Sequence, residues 1–313
     1  MKLSTYTGGR PSDFPGEEAR YQAIADAGFR YISYDFENIS LSAPASMDYM
    51  QSDWKTAALA RLGKMKQAGL TPIMAHAPCA FPLPEESRAP FLAATIRTIE
   101  SCGVMGIPQI VVHPDAWKGM SHDEFLSVNR EFYRALIPAA EKHNVTILIE
   151  NIGQVRDPHF LHNGRELRQM IEAVEHLLFA ACWDTGHANH NENDQSESIR
   201  TLGSLLKGLH INDNIGDLMP PEKIWRVDMH TFPLFGTVNF DGVIHALKEI
   251  GYTGYFNFEA DRPLPSVRRT PFRVNGERVE RIESVLPEIR RHSLALLHTI
   301  GRLMLEAYDC YEE

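Results

Sequence analysis

Six short apolar runs in the chain each end in a histidine or a carboxylate: TPIMAHAP, QIVVHP, TILIEN, FAACWDTGH, LKGLHIND and GYFNFEAD. The polar residues at their ends are His76, His113, Glu150, Asp184 with His187, His210 and Glu259. Imidazole and carboxylate are the ligand types of zinc, manganese, cobalt and iron. Glu150 follows TILI, Asp184 follows AACW and Glu259 follows YFNF. Burying three carboxylates without a cation or a proton is unfavourable. Histidines beside them point to a metal centre rather than to a structural ion-pair network. His187 either binds the ion or orients a substrate hydroxyl. A loop adds Asp228 and His230 at D-x-H spacing. In an extended stretch residues i and i+2 point the same way, so both can reach one ion; the alternative is that Asp228 only orients His230.

For these residues to meet, the elements carrying them must converge. Each run is short, β-branched or aromatic, and bounded by Gly, Pro, Asn or Asp, which predicts strands. Two earlier runs, LSTYT near 3–7 and YISYDF near 31–36, bring the number to eight. Helical spacing fills the gaps at 17–27, 53–68, 87–102, 121–143, 163–177, 196–204 and 240–250. An alternating β-α order favours a parallel sheet. Eight units within residues 1–262 favour a closed (β/α)8 TIM barrel, whose chemistry sits at the C-terminal strand ends. All six polar ends then lie on one face. Two long loops, 77–90 and 213–237, read as lids or substrate walls. Phe81, Trp117 and Trp225 are candidate apolar walls for a substrate, with ordinary packing as the alternative. Residues 263–313 read as a helical extension with apolar positions at Ile282, Leu286, Ile289, Leu296, Ile300, Leu303 and Met304. It either packs on the barrel or supplies a homo-oligomer contact.

Composition narrows the function. A formal charge of −10 argues against a large nucleic-acid footprint. Cys79, Cys102, Cys182 and Cys310 form no C-x-x-C motif, so reduced thiols in a cytoplasmic protein are expected. The N-terminal residues MKLSTYTGGR lack an apolar signal core, and no run is long enough to cross a membrane. No G-x-S-x-G, P-loop or dinucleotide fingerprint occurs.

H-A-P at 76–78, V-V-H-P at 111–114, I-E-N at 149–151, D-T-G-H at 184–187, L-H-I-N-D at 209–213 and F-E at 258–259 together resemble the xylose-isomerase-like barrel superfamily. That superfamily includes sugar isomerases and epimerases, inosose dehydratases and type-IV abasic-site endonucleases. Resemblance to the ketose 3-epimerases implies one divalent ion (zinc, manganese, cobalt, iron or magnesium) held by Glu150, Asp184, His210 and Glu259. It also implies that Glu150 and Glu259 exchange the substrate proton on opposite faces. The chain departs from that pattern in having His76 and His113, and in lacking a substrate-binding glutamate after the fifth strand, where Arg156 lies nearby. Resemblance to the endonucleases implies a three-zinc site of His76, His113, Glu150, Asp184, His187, His210, Asp228, His230 and Glu259. The Lys- and Arg-rich loops that would hold a DNA backbone are missing.

The expected function is a divalent-metal-dependent isomerase or epimerase of a small sugar, polyol or sugar phosphate, acting through an enediolate with Glu150 and Glu259 as the acid–base pair. The rival readings are a multi-metal phosphodiester hydrolase and a non-catalytic metal-binding protein.

Overall fold

The computed structural model describes residues 1–8, 14–36, 47–79, 85–115, 117, 119–153, 160–191, 194–216, 229–260, 273–278 and 285–313. Eight strands run parallel: β1 (Lys2–Tyr6), β2 (Tyr31–Asp35), β3 (Thr71–His76), β4 (Gln109–Val111), β5 (Thr146–Glu150), β6 (Phe179–Asp184), β7 (Leu206–His210) and β8 (Tyr255–Phe258). Their spatial order is β7-β6-β5-β4-β3-β2-β1-β8. The two ends of that order meet through a single parallel bridge between Ile211 and Phe258. There the Ile211 N–H donates to Asn257 O at 2.8 Å and the Glu259 N–H donates to Ile211 O at 3.1 Å. The sheet is therefore a closed barrel, as the alternating order predicts.

Helices α1 (Glu17–Asp26), α2 (Trp54–Gln67), α3 (Glu85–Met105), α4 (His122–His143), α5 (Gly164–Val174), α6 (Thr185–Asn189), α7 (Ser196–Leu202) and α8 (Phe240–Glu249) follow their strands. All six residues of β6 are buried, the pattern of a strand covered on both faces. Helix α4 begins with a capping box: Ser121 Oγ accepts from the Glu124 N–H at 3.2 Å, and the Glu124 carboxylate accepts from the Ser121 N–H.

Two local features depart from the sequence reading. The D-T-G-H segment does not continue the sixth strand but opens the short helix α6. Asp184 is extended and its side chain accepts from the His187 N–H at 2.6 Å, which caps the helix. The C-terminal segment holds a short antiparallel hairpin, β9 (Arg273–Val274) with β10 (Glu277–Arg278), before helix α9 (Leu286–Glu306). Helix α9 follows β8 and packs against α1 and β1, so it fills the eighth place in the helix ring. Leu294, Leu297 and Leu305 are buried there, and the His298 ring stands edge-on to Phe29 at 5.0 Å. Of the expected apolar positions, Ile300 and Met304 pack on the core, whereas Ile289, Leu296 and Leu303 face outward. Among the described residues no helix is long and apolar enough to cross a membrane.

Side chains alternate along a strand. Two residues before His76, His113, Glu150 and Asp184 stand Met74, Val111, Leu148 and Cys182, and these four belong to one buried apolar cluster with Ile73 and Ala180. That cluster is the floor beneath the polar strand ends. Two residues before His210 is Gly208. A Cβ there would lie 2.6 Å from Leu148 Cδ1 and 3.1 Å from Met74 Sδ, so the floor leaves no room for a side chain.

Candidate metal centre

The barrel brings all six strand-end residues together. Glu150 is at the middle, with no exposed surface. Its Oε2 lies 2.9 Å from His113 Nε2 and 3.6 Å from His76 Nε2, and its Oε1 lies 2.9 Å from His210 Nδ1 and 3.4 Å from His187 Nδ1. His76 Nε2 and His113 Nε2 are 3.3 Å apart. His210 Nδ1 is also 3.0 Å from Glu259 Oε2, so one imidazole nitrogen stands between two glutamates. His230 joins from its loop, with Nδ1 3.6 Å from Glu259 Oε2. Donor atoms of Glu150, Asp184, His210 and Glu259 all lie within 4.8 Å of one another, as do those of His76, Glu150 and His210.

Three of the rings also set an Nδ1 against a backbone carbonyl, an arrangement typical of metal-binding histidines. His76 Nδ1 is 2.6 Å from Ala77 O, His187 Nδ1 is 2.9 Å from Asn151 O, and His230 Nδ1 is 2.9 Å from Glu259 O. A backbone carbonyl only accepts, so each Nδ1 carries the proton and each neutral ring keeps its lone pair on Nε2. His113 differs: its buried Nδ1 has no hydrogen-bond partner among the described residues. Three carboxylates and several imidazoles, on an apolar floor and converging on one point, fit a divalent transition metal. Glu150, Asp184, His210 and Glu259 would hold one ion, and His76 with His113 stand where a second would share Glu150.

The acidic and basic groups of the cluster shift one another. Burial alone would raise the Glu150 carboxyl, but the His210 and His113 rings hold it well below the usual carboxylate range. At Glu259 burial is likewise outweighed, by His210 first, and the carboxyl falls to about 2. At Asp184 burial prevails over the neighbouring His187, and the carboxyl is pushed up to about 6. Burial disfavours a charged His210, yet Cys182 and the two glutamates raise it well above its ordinary value.

Asparagines support the centre. Asn212 Nδ2 donates to Asp184 Oδ2 at 2.6 Å, and Asn151 Nδ2 donates to Asp184 O at 2.9 Å. The sequence reading omitted both, although each stands within two residues of a strand-end residue, in I-E-N and H-I-N-D. Gly186 completes this packing: a Cβ there would overlap Asn212 Oδ1. Among the expected substrate walls, Trp117 is half-buried with the Arg88 guanidinium 4.2 Å over its ring, and Arg88 pairs with Asp115 at 3.1 Å. Phe81, Trp225 and Asp228 lie outside the described residues.

Residues 21–278 match the family of xylose isomerase-like TIM barrels. A probable endonuclease 4 of Geobacter sulfurreducens is 33% identical over 219 residues, spanning 65% of this chain and 69% of the relative. A D-psicose 3-epimerase from Clostridium cellulolyticum H10, solved with D-tagatose, superposes with a TM-score of 0.69 at 16% identity, over 97% of this chain and 99% of the other. A 3-keto-D-glucoside 4-epimerase from E. coli gives 0.65 at 19% identity, over 96% and 99%. At such identities the structural likeness is one of fold. The chain belongs to the xylose isomerase-like TIM barrel family.

Proposed function

We propose that the chain is a divalent-metal-dependent isomerase or epimerase of a small sugar, polyol or sugar phosphate. The observation that carries this reading is the pair of glutamates on one imidazole nitrogen, with Glu150 Oε1 at 2.9 Å and Glu259 Oε2 at 3.0 Å from His210 Nδ1. A bound divalent ion would supply Lewis-acid polarisation of a substrate carbonyl. The chain's own residues would do the proton work. Both carboxyls lie below their ordinary range and so are ionised at neutral pH, the form in which a carboxylate can take a proton. One glutamate would take the proton from the carbon next to the carbonyl, and the other would return one from the opposite side. The apolar floor of Met74, Val111, Leu148 and Cys182 would keep water from the underside. The epimerases that share the fold support this substrate class.

The test is to incubate the metal-loaded protein with ketopentoses, ketohexoses and 3-keto-glucosides in deuterated water. The expected outcome is one deuterium in the product at the carbon beside the carbonyl. Glu150→Gln and Glu259→Gln should each lower turnover by about 10²–10⁴-fold with little change in substrate binding. Full activity in Glu259→Gln would end the two-glutamate scheme, and an unlabelled product would replace it with hydride transfer.

A second reading, phosphodiester hydrolysis with two or three ions, is favoured by the contact of His76 and His113 with Glu150 and by the endonuclease-like relative. Against it stands the charge of −10. Bound metal per chain separates the two: one ion supports the isomerase, and three with cleavage of an abasic-site duplex support the hydrolase.

A further inference from the structure

Asp213 and Asn214 stand three and four residues beyond His210, outside the cluster of strand-end residues. Asp213 is fully buried, and among the described residues no Lys or Arg forms an ion pair with it. Its carboxylate is satisfied by backbone N–H groups instead. Oδ1 accepts from Asn214 at 2.9 Å and Val238 at 3.0 Å, and Oδ2 accepts from Leu234 and Gly236, each at 3.0 Å. Three of these donors belong to the turn that follows His230. The backbone of Asp213 also pairs with Thr231 in an antiparallel bridge, with both N–H···O distances 3.0 Å. In that turn His230 (φ 44°) and Leu234 (φ 74°) adopt the left-handed region that side chains other than glycine avoid. Such a conformation persists only where its surroundings over-determine it, and Asp213 supplies that constraint. Gly236 fits the same account, because a Cβ there would overlap both Asp213 Oδ1 and Asn214 O.

Asn214 faces the other way. Its Nδ2 donates to Gly186 O at 2.8 Å, and its Oδ1 accepts from Asn189 Nδ2 at 2.9 Å. Gly186 and Asn189 flank His187 on α6. One dipeptide thus holds the segments next to both His187 on α6 and His230 in its loop, whose ring centroids are 5.7 Å apart.

We propose that Asp213 and Asn214 are positioning residues that set the separation and ring orientation of His187 and His230, Asp213 through the turn 231–238 and Asn214 through α6. The inference goes beyond the proposed reaction and stands whichever substrate is correct, since its readout is the two rings themselves.

The experiment labels the histidines of the full chain with nitrogen-15 and reads each ring's tautomer by long-range proton–nitrogen correlation, without metal and during titration with zinc. Asp213→Asn should move the His230 signals from a single Nδ1–H tautomer towards a mixture and leave those of His76 unchanged. Gly236→Ala should do the same with the Asp213 carboxylate intact. Asn214→Asp, which loses the donor to Gly186 O, should move His187 and spare His230. In each variant zinc affinity should fall, by no more than the roughly tenfold expected when the histidine itself is removed. A folded Asp213→Asn or Gly236→Ala protein with native His230 signals and an unchanged zinc titration would overturn the proposal and leave a plain loop anchor. If Asp213→Asn does not fold, Gly236→Ala decides the matter by the same readout.

Discussion

The inner part of the site and its outer part are built by different means. His76, Glu150, Asp184 and His210 end strands whose register fixes them: His76 pairs with Val111, Glu150 with Cys182 and Asp184 with His210. His187 and His230 are carried by a five-residue helix and by a turn containing left-handed residues. The inner groups rest on ladder hydrogen bonds that the whole barrel maintains. The outer groups rest on a few side-chain-to-backbone bonds. A site built this way can keep its central chemistry while its rim varies, because a change in the outer scaffold does not disturb the ladders.

The strongest way to break this contrast is to remove inner ligands. Asp184→Ala and His210→Ala should each lose bound metal by elemental analysis and lose the stabilisation that added zinc gives the parent in thermal melts. Unchanged metal content in both would remove them from the centre. The junction between the parts comes next. Gly186→Ala must push Asn212 Oδ1 aside, which disturbs the bond from Asn212 to Asp184. It should cost about 1–3 kcal/mol by denaturant unfolding, and an unchanged midpoint would show that Asn212 yields freely.

Acid should test the inner part next. The Asp184 carboxyl is pushed up to about 6 and His210 is raised above its ordinary value, so below about pH 6 metal must displace a proton from each, and zinc affinity should fall by more than tenfold per pH unit. Calorimetry in buffers of different ionisation heat would count the protons released. For the metal-free protein the shifted groups oppose one another: Glu150 and Glu259, both lowered, stand against Asp184 and His210, both raised. Glu259, lowered from 4.5 to about 2, stabilises above 4.5, and that contribution is lost as pH falls towards 2. Asp184, raised from 3.8 to about 6, stabilises below 3.8 and is lost as pH rises through 6. His210, raised from 6.5, stabilises below 6.5 and is lost as pH rises through its folded value. Metal-free stability should therefore peak near about pH 4.5, fall as pH rises to about 6 with the loss of the Asp184 contribution, and fall again as His210 loses its proton, with metal moving the optimum upward. The smallest effect is expected at the rim: His187→Ala and His230→Ala should weaken the tightest zinc by only about tenfold, the lower end for groups that support a metal indirectly. A loss equal to that of His210→Ala would erase the inner–outer distinction.

The same division explains what the sequence made legible. The strand ends could be found because burial forces apolar runs, and a carboxylate or histidine at the end of such a run stands out; Glu150 after TILI is the plainest case. The barrel followed from the alternating order. The rim was harder to read. D-T-G-H looks like strand continuation until the Asp184 side chain is seen to cap α6. Asp213 reads as one more loop acid, because three of the four backbone N–H groups that bind it come from residues more than twenty positions away in sequence. Helix α9 reads as an appendage by chain order, but it occupies the ring beside α1.

The barrel seam has a consequence for observing the site at work. β7 and β8 are joined by the Ile211–Phe258 bridge, and the amide protons of Ile211 and Glu259 carry its two hydrogen bonds. His210 and Glu259 stand on opposite sides of that seam, one residue from the bridge partners. Any ligand held by both must lock the seam, so the exchange of these two amides with deuterated solvent reports site occupancy from the backbone alone. Protection should rise at Ile211 and Glu259 when the centre fills, while amides of the β5–β6 ladder, already secured on both sides, change little.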